Sequence, residues 1–213
     1  MSEESDHIPN FFSQLTPVFP TVTEDGKIET VQFLEAGKAF IQIYDQLGTA
    51  FYVVKKDMLG NIEKLYKTYS KSPEKYKFLN DLISEERNDP SIYAVDALLW
   101  LKRALEFTVH FMNGICSEFE KSESFDKLDH LATEAYNSTL KIYHMWLVQN
   151  VFKVVVKSVP NRTNLVKALY FGSPGPEEAL YRDVRSYVQR LEKNLAVIVQ
   201  MYDEWGLNSD KRV

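Results

Sequence analysis

The chain has a single cysteine, Cys116, among 213 residues, which rules out an internal disulfide and a cysteine-based zinc cluster. No apolar run approaches the roughly eighteen residues that a membrane span needs. A Gly-rich phosphate loop, an HExxH pair, a nucleophile elbow and an EF-hand loop are all missing. The four histidines, His7, His110, His130 and His144, include no pair at i, i+3 or i, i+4, so no helix offers a histidine metal face. The net charge is −5, without a dense lysine or arginine stripe, which argues against a nucleic-acid partner. The acidic start "MSEESDHIPN" is neither a secretory signal nor a transit peptide, and a cytosolic protein is expected. In that setting the glycosylation-like "NST" at Asn137 and "NRT" at Asn161 read as accidental. Cys116 in an apolar helix reads as a small buried side chain rather than a thiol catalyst. These absences predict a protein that is not an enzyme and uses neither metal nor cofactor.

What is present is helix. A chain 45% hydrophobic and 26% charged suits one sizeable domain. Residues 1–22, with Pro9, Pro17 and Pro20, predict a flexible arm, and residues 23–213 a single domain. Prolines and glycines then fall mainly between helical segments at Ile28–Gln46, Phe51–Tyr69, Pro73–Arg87 and Ser91–Glu118. After an "EKSESFDK" loop come Leu128–Val159, Thr163–Phe171 and Pro176–Trp205. Ser72 with Pro73 looks like a helix start. The segment from Ser91 is apolar nearly all round, as a central helix is, whereas the last is one-faced. No alternating strand pattern or internal repeat is visible, so the fold class is all-α.

Several polar residues stand where a core helix should be apolar. Asp57, Asn61 and Lys64, at i, i+4 and i+7, share one side beside the stripe Val54, Met58, Ile62, Leu65 and Tyr69. In a continuous helix from Leu128, His144 lies among Leu140, Leu147, Val148, Val151 and Val155, while Trp146 points the opposite way beside Asn150, Lys153 and Lys157. A tryptophan flanked by lysines suits a membrane interface as well as it suits a covering loop. Trp100 shares a face with Asp96, Arg103, Phe107 and Phe111, and Asp96 could pair with Lys64 or Arg103. Each feature alone has an ordinary explanation as a solvated edge, a satisfied core histidine or simple packing.

Together, "KKDMLGNIEKLY", "LLWLKRALEF" and "YHMWLVQNVF" resemble the three signature segments of the glycolipid transfer protein family, and the similarity runs from about Lys27 onward. The resemblance implies a two-layer helical sandwich of about eight helices enclosing a lipid pocket, and non-enzymatic transfer of glycosphingolipids between membranes. It implies that Asp57, Asn61 and Lys64 bind the sugar headgroup, that Trp100 is a flat platform beneath it, and that Asp57 and His144 hold the ceramide amide. Phe51, Val54, Phe107, Phe111, Leu140 and Phe152 would line the hydrocarbon pocket. Trp146, Lys153 and Lys157 would touch the membrane transiently, with the protein a monomer. A tryptophan at position 100, where ceramide-1-phosphate carriers have arginine, argues for a sugar. Asp96 departs from the apolar residue usual in sugar-binding relatives and is a possible further headgroup contact. "SDKRV" lacks the tyrosine that some relatives fold back toward the sugar, so Lys211 and Arg212 receive no headgroup role. Alternatives are a sphingolipid sensor, a ceramide-1-phosphate carrier, or a helical protein-interaction scaffold.

Overall fold

The computed structural model describes residues 8–121 and 126–213. His7, the first seven residues of the predicted arm and positions 122–125 of the "EKSESFDK" loop lie outside the described residues. The described chain contains ten α-helical segments in two packed layers and no strand. They are α1 (Phe11–Gln14), α2 (Thr30–Phe40), α3 (Ile43–Leu47), α4 (Tyr52–Tyr69), α5 (Leu79–Glu86), α6 (Tyr93–Glu120), α7 (Asp129–Ser138), α8 (Trp146–Lys157), α9 (Arg162–Leu169) and α10 (Glu177–Glu204).

The central helix is α6, which packs against α4, α5, α7 and α10. Its all-round apolar sequence is the reason: Leu98, Leu99, Leu101, Leu105, Phe107 and Phe111 are all buried, on several sides of the cylinder. Tyr44 and Thr108 tie α3 to α6 through a buried hydroxyl pair at 2.6 Å, and Tyr202 of α10 donates to the Val95 carbonyl at 2.7 Å.

Four expectations are corrected. The stretch before Val22 is not a loose arm over its described part: Phe11, Phe12 and Phe19 are buried, and Phe19 packs edge-on against Phe40 and Tyr187. Ile28–Gln46 is not one helix. Phe40, Ile41, Ile43 and Tyr44 are all buried and point around more of the cylinder than one face offers, so the chain turns at Ile41–Gln42 and restarts.

Pro73 does not start a helix either. Residues 73–76 form a turn closed by the Tyr76 N–H on the Ser72 carbonyl. Lys77 and Ile28 then bond through their carbonyls to the Thr30 and Leu79 N–H groups, and Thr30 Oγ1 donates to the Tyr76 carbonyl, so helix begins only at Leu79. Finally, the segment from Leu128 breaks between Thr139 and Met145. There the Ser138 and Thr139 hydroxyls bond back to the carbonyls of Glu134 and Ala135, and the chain tightens into a 3₁₀ turn at Lys141–Tyr143.

Gly206, at φ 66°, ends α10 in a left-handed turn, with the Leu207 N–H donating to the Tyr202 carbonyl. The following segment then runs back across the molecule. It pairs with the break before α8, Met145 N donating to Val213 O and Val213 N to Tyr143 O.

Because Phe19 is fully buried, Phe19→Ala should lower stability by about 3–5 kcal/mol in urea unfolding. A change within about 0.5 kcal/mol, typical of surface positions, would mean the N-terminal stretch is not part of the core.

Candidate lipid headgroup site and apolar cavity

The break before α8 puts His144 on extended backbone and aims it inward, nearly buried, while Trp146, the first residue of α8, is 74% exposed. The opposed directions inferred from helical periodicity are present, but a chain reversal rather than a continuous helix produces them. Leu147 and Val151 do not share the buried face expected of them: both are exposed.

His144 closes one side of a cavity of about 410 Å³ between α4, α6 and α8. Asp57, Asn61, Lys64 and Trp100 line its polar end, with Val54, Leu140, Val148, Val151, Phe152 and Val155 along the rest. The structure thus brings together the five headgroup candidates, which are 87 residues apart at the extremes of sequence (57 to 144). Of the predicted hydrocarbon set, Val54, Leu140 and Phe152 are on the wall. Phe51, Phe107 and Phe111 are buried in the core and are not on the wall, though Phe107 meets Phe152 edge-on at 5.3 Å. Asp96 is not on the cavity wall: it sits in the first turn of α6, where its charge helps raise the pKa of Tyr202. Lys153 and Lys157 are exposed on α8, outside the cavity.

The polar end is internally connected. Asn61 donates to Asp57 at 3.3 Å, and Lys64 reaches Asn61 Oδ1 at 3.5 Å. These are long bonds, leaving acceptor capacity on Asp57 and donor capacity on Lys64 for another molecule. Burial raises the Asp57 pKa, and Lys64 opposes it.

His144 Nδ1 lies 3.0 Å from the Tyr136 hydroxyl, whose own pKa is pushed up to about 12 by burial. With that hydroxyl donating to Nδ1, the neutral ring keeps its proton on Nε2 as a donor for a carbonyl oxygen. Burial, and secondarily the nearby Arg103 charge, lower the His144 pKa, which favours this neutral form. The imidazole and the Trp100 indole are close to parallel, at 14°.

Sequence reasoning offered Arg103 only as a possible ion-pair partner of Asp96. Its guanidinium is buried, lies over the Tyr143 ring at 3.3 Å from the centroid, stands 4.9 Å from that of Trp100, and donates to the Ser209 carbonyl. Among the described residues its Nε and Nη1 find no hydrogen-bond partner. Arg103 therefore fastens the segment after α10 to the tryptophan and to the His144 loop, and Val213 of that segment joins the cavity wall. The sequence signal was the polar residue one turn beyond Trp100 on an apolar helix. Lys211 and Arg212 are exposed and absent from the wall, whereas Val213 was not foreseen there.

Burial pushes the Cys116 thiol up to about 11, and among the described residues no cluster of histidine, cysteine and acidic side chains could hold a metal ion. No described helix is long and apolar enough to cross a membrane. Fold and site define an all-helical protein whose cavity is polar at its α4 end and apolar along the rest.

Residues 28–171 match the family described as Glycolipid transfer protein (GLTP). The chain is 32% identical to Pleckstrin homology domain-containing family A member 8 of Bos taurus and 31% identical to that of Homo sapiens, each over 99% of this chain. It spans 42% of the length of each of these relatives. Among solved structures, that of the FAPP2 GLTP-fold, described as selecting simple glycosphingolipids, aligns with a TM-score of 0.84 at 30% identity over 96% of this chain and 100% of that one. The fungal glycolipid transfer protein HET-C2 aligns at 0.76 and 26%, over 96% of each chain. Human ceramide-1-phosphate transfer protein shares the fold at 0.76 and 20%, over 92% of this chain and 94% of that one. The chain belongs to the glycolipid transfer protein family, whose members carry lipids without catalysing a reaction.

Replacing Arg103 by methionine, which keeps bulk and removes charge, should raise the His144 pKa as followed by NMR of the imidazole. It should also speed amide exchange across Ser209–Val213. Since the folded pKa of His144 is depressed below 6.5, its contribution to stability is present above that pH and is lost as pH falls through the folded value. That loss should be smaller in the variant. An unchanged His144 titration would separate Arg103 from the site.

Proposed function

We propose that this chain binds one glycosphingolipid and moves it between membranes as a cytosolic, monomeric carrier. The observation that carries the reading is the junction of the Asp57–Asn61–Lys64 row and Trp100 with an apolar cavity. Sugar hydroxyls need donors and acceptors together, and the row offers an acceptor-only, a mixed and a donor-only group. Each unmade bond to such a group costs a wrong ligand roughly 1–3 kcal/mol. The Trp100 indole presents a flat face to the apolar side of a sugar ring, Asp57 takes the ceramide amide N–H, and His144 Nε2 donates to the amide carbonyl. Hydrocarbon chains enter between α4 and α8 at about 0.8 kcal/mol per buried methylene. Phe107 packs edge-on against Phe152, so the chains reach Phe107 when Phe152 leaves its stack on Tyr136, where the ring centroids are 3.9 Å apart.

A membrane face at the cavity mouth supports transfer over storage. Tyr52 and Val53 at the start of α4, with Ile142, Met145, Trp146, Leu147, Val151 and Val154 around α8, are exposed apolar side chains, and Val53 and Val151 also line the cavity. This patch is wider than the single tryptophan read from sequence, and Lys153 and Lys157 stand among it to meet anionic headgroups. Patches of this kind on a monomer mark interaction surfaces. Such a surface supports the reversible adsorption that a carrier needs.

The test is transfer between vesicles of fluorescent glucosylceramide, galactosylceramide and ceramide-1-phosphate. Transfer of the two sugar lipids over the phosphate supports the reading. Preference for the phosphate would overturn the role of Trp100, and transfer of none, with no lipid-dependent rise in melting temperature, would point to an interaction scaffold. Asp57→Val should weaken binding of every sphingolipid tested. Trp146→Ala should slow transfer about tenfold while leaving headgroup order unchanged, measured in the same assay; an unaltered rate would mean the membrane face lies elsewhere.

A further inference from the structure

Along α6 the apolar interior is divided in two. The cavity reaches this helix at Trp100 and Ala104. Further along, Met112 and Ile115 line a separate apolar void of about 10 Å³, shared with Leu165 of α9 and Leu180 of α10. Thr108 stands midway, four residues from Ala104 and four from Met112, or about 6 Å from each along the helix axis.

Thr108 is fully buried, and so is Tyr44 of α3. The Thr108 hydroxyl donates to the Ala104 carbonyl at 2.8 Å, which commits its proton, so the Tyr44 hydroxyl 2.6 Å away is the donor of the second bond. The Tyr44 ring stacks on Phe51, with centroids 5.8 Å apart, and α3 packs against α9. A hydrogen-bonded chain from Tyr44 through Thr108 to Ala104 therefore crosses the core between the cavity and the void. Phenylalanine and valine of the same shape would fill this space without requiring any bond.

We infer that the Tyr44–Thr108 pair is a partition that limits how far a hydrocarbon chain reaches into the protein, so that acyl-chain length helps decide which lipid is bound. The inference rests on the proposed glycosphingolipid reading and adds a second criterion to the headgroup. A chain can pass apolar side chains such as Phe152 and Phe107 by turning them to other rotamers, with no hydrogen bond lost. Separating Tyr44 from Thr108 leaves a buried hydroxyl that a methylene cannot satisfy. Chains therefore fill the cavity and the layer around Phe107 and stop there. The surplus of a longer chain stays at the cavity mouth, beside the exposed apolar side chains of α8.

The experiment measures binding of glucosylceramides with octanoyl, palmitoyl and tetracosanoyl chains to wild type, Tyr44→Phe, Thr108→Val and the double variant, with a melting temperature for each protein. In wild type, affinity should rise from octanoyl to palmitoyl and gain nothing further with tetracosanoyl. In the double variant, the ratio of tetracosanoyl to octanoyl affinity should rise about tenfold. Tyr44→Phe alone keeps the Thr108 bond to Ala104 and should raise that ratio by a smaller factor. NOEs from the terminal methyl group of the tetracosanoyl chain to Met112 should be present in the double variant and missing in wild type. An unchanged ratio in the variants, or contact with Met112 in wild type, would overturn the partition alone. A wild type that binds no glucosylceramide of any chain length would overturn the glycolipid reading and the partition with it.

Discussion

Asp57, Asn61 and Lys64 are held to one another along one side of α4, at distances long enough that none of the three is fully satisfied. Everything else at the site follows from where that row is placed. Met58, Ile62 and Leu65 bury the neighbouring face of the helix against the core, which fixes its rotation and leaves the row on the shoulder. There α6 and α8 enclose an apolar cavity beside it. Asn61 is buried while Asp57 and Lys64 keep exposed faces, and an amphiphile that completes their hydrogen bonds beside the apolar cavity gains more from them than it would in open water.

The second element is the chain reversal between α7 and α8. It presents His144 to the cavity and Trp146 to solvent from adjacent turns, and it gives the segment after α10 a backbone edge to pair with. Arg103 joins these parts, touching Tyr143 and Trp100 with its guanidinium faces and Ser209 with an edge. A buried guanidinium with two nitrogens unpartnered among the described residues is costly, and its contacts with Tyr143, Trp100 and Ser209 hold the platform and the loop in register.

Much of this was legible in the sequence because helical periodicity is local. The 3.6-residue repeat located α4, α6 and α10, and the spacing of Asp57, Asn61 and Lys64 placed them on one side of α4. Where the reading failed, distant contacts decided. Phe11, Phe12 and Phe19 look like part of an unstructured proline-rich stretch until α2 and α10 cover them. Residues 73–78 carry helix-start signals that pairing with Ile28–Thr30 overrides. The break at Thr139 had a local sign, the Asn137–Ser138–Thr139 run, but it was read as a chance glycosylation pattern. The extent of the exposed patch around Trp146 is hidden in sequence because Leu147 and Val151 look like core if α7 and α8 are one helix. Roles at the site came from resemblance and now have a geometry that suits them.

The central claim is that the headgroup lies between Trp100 and the Asp57–Asn61–Lys64 row while the chains occupy the cavity behind. The most direct measurement is the set of intermolecular NOEs in a one-to-one complex with glucosylceramide. The account predicts contacts from the glucose ring protons to the Trp100 indole and from the acyl methylenes to Leu140, Val148 and Phe152. Sugar contacts confined to any other face of the protein, or chains found only on the outer surface of α8, would contradict it.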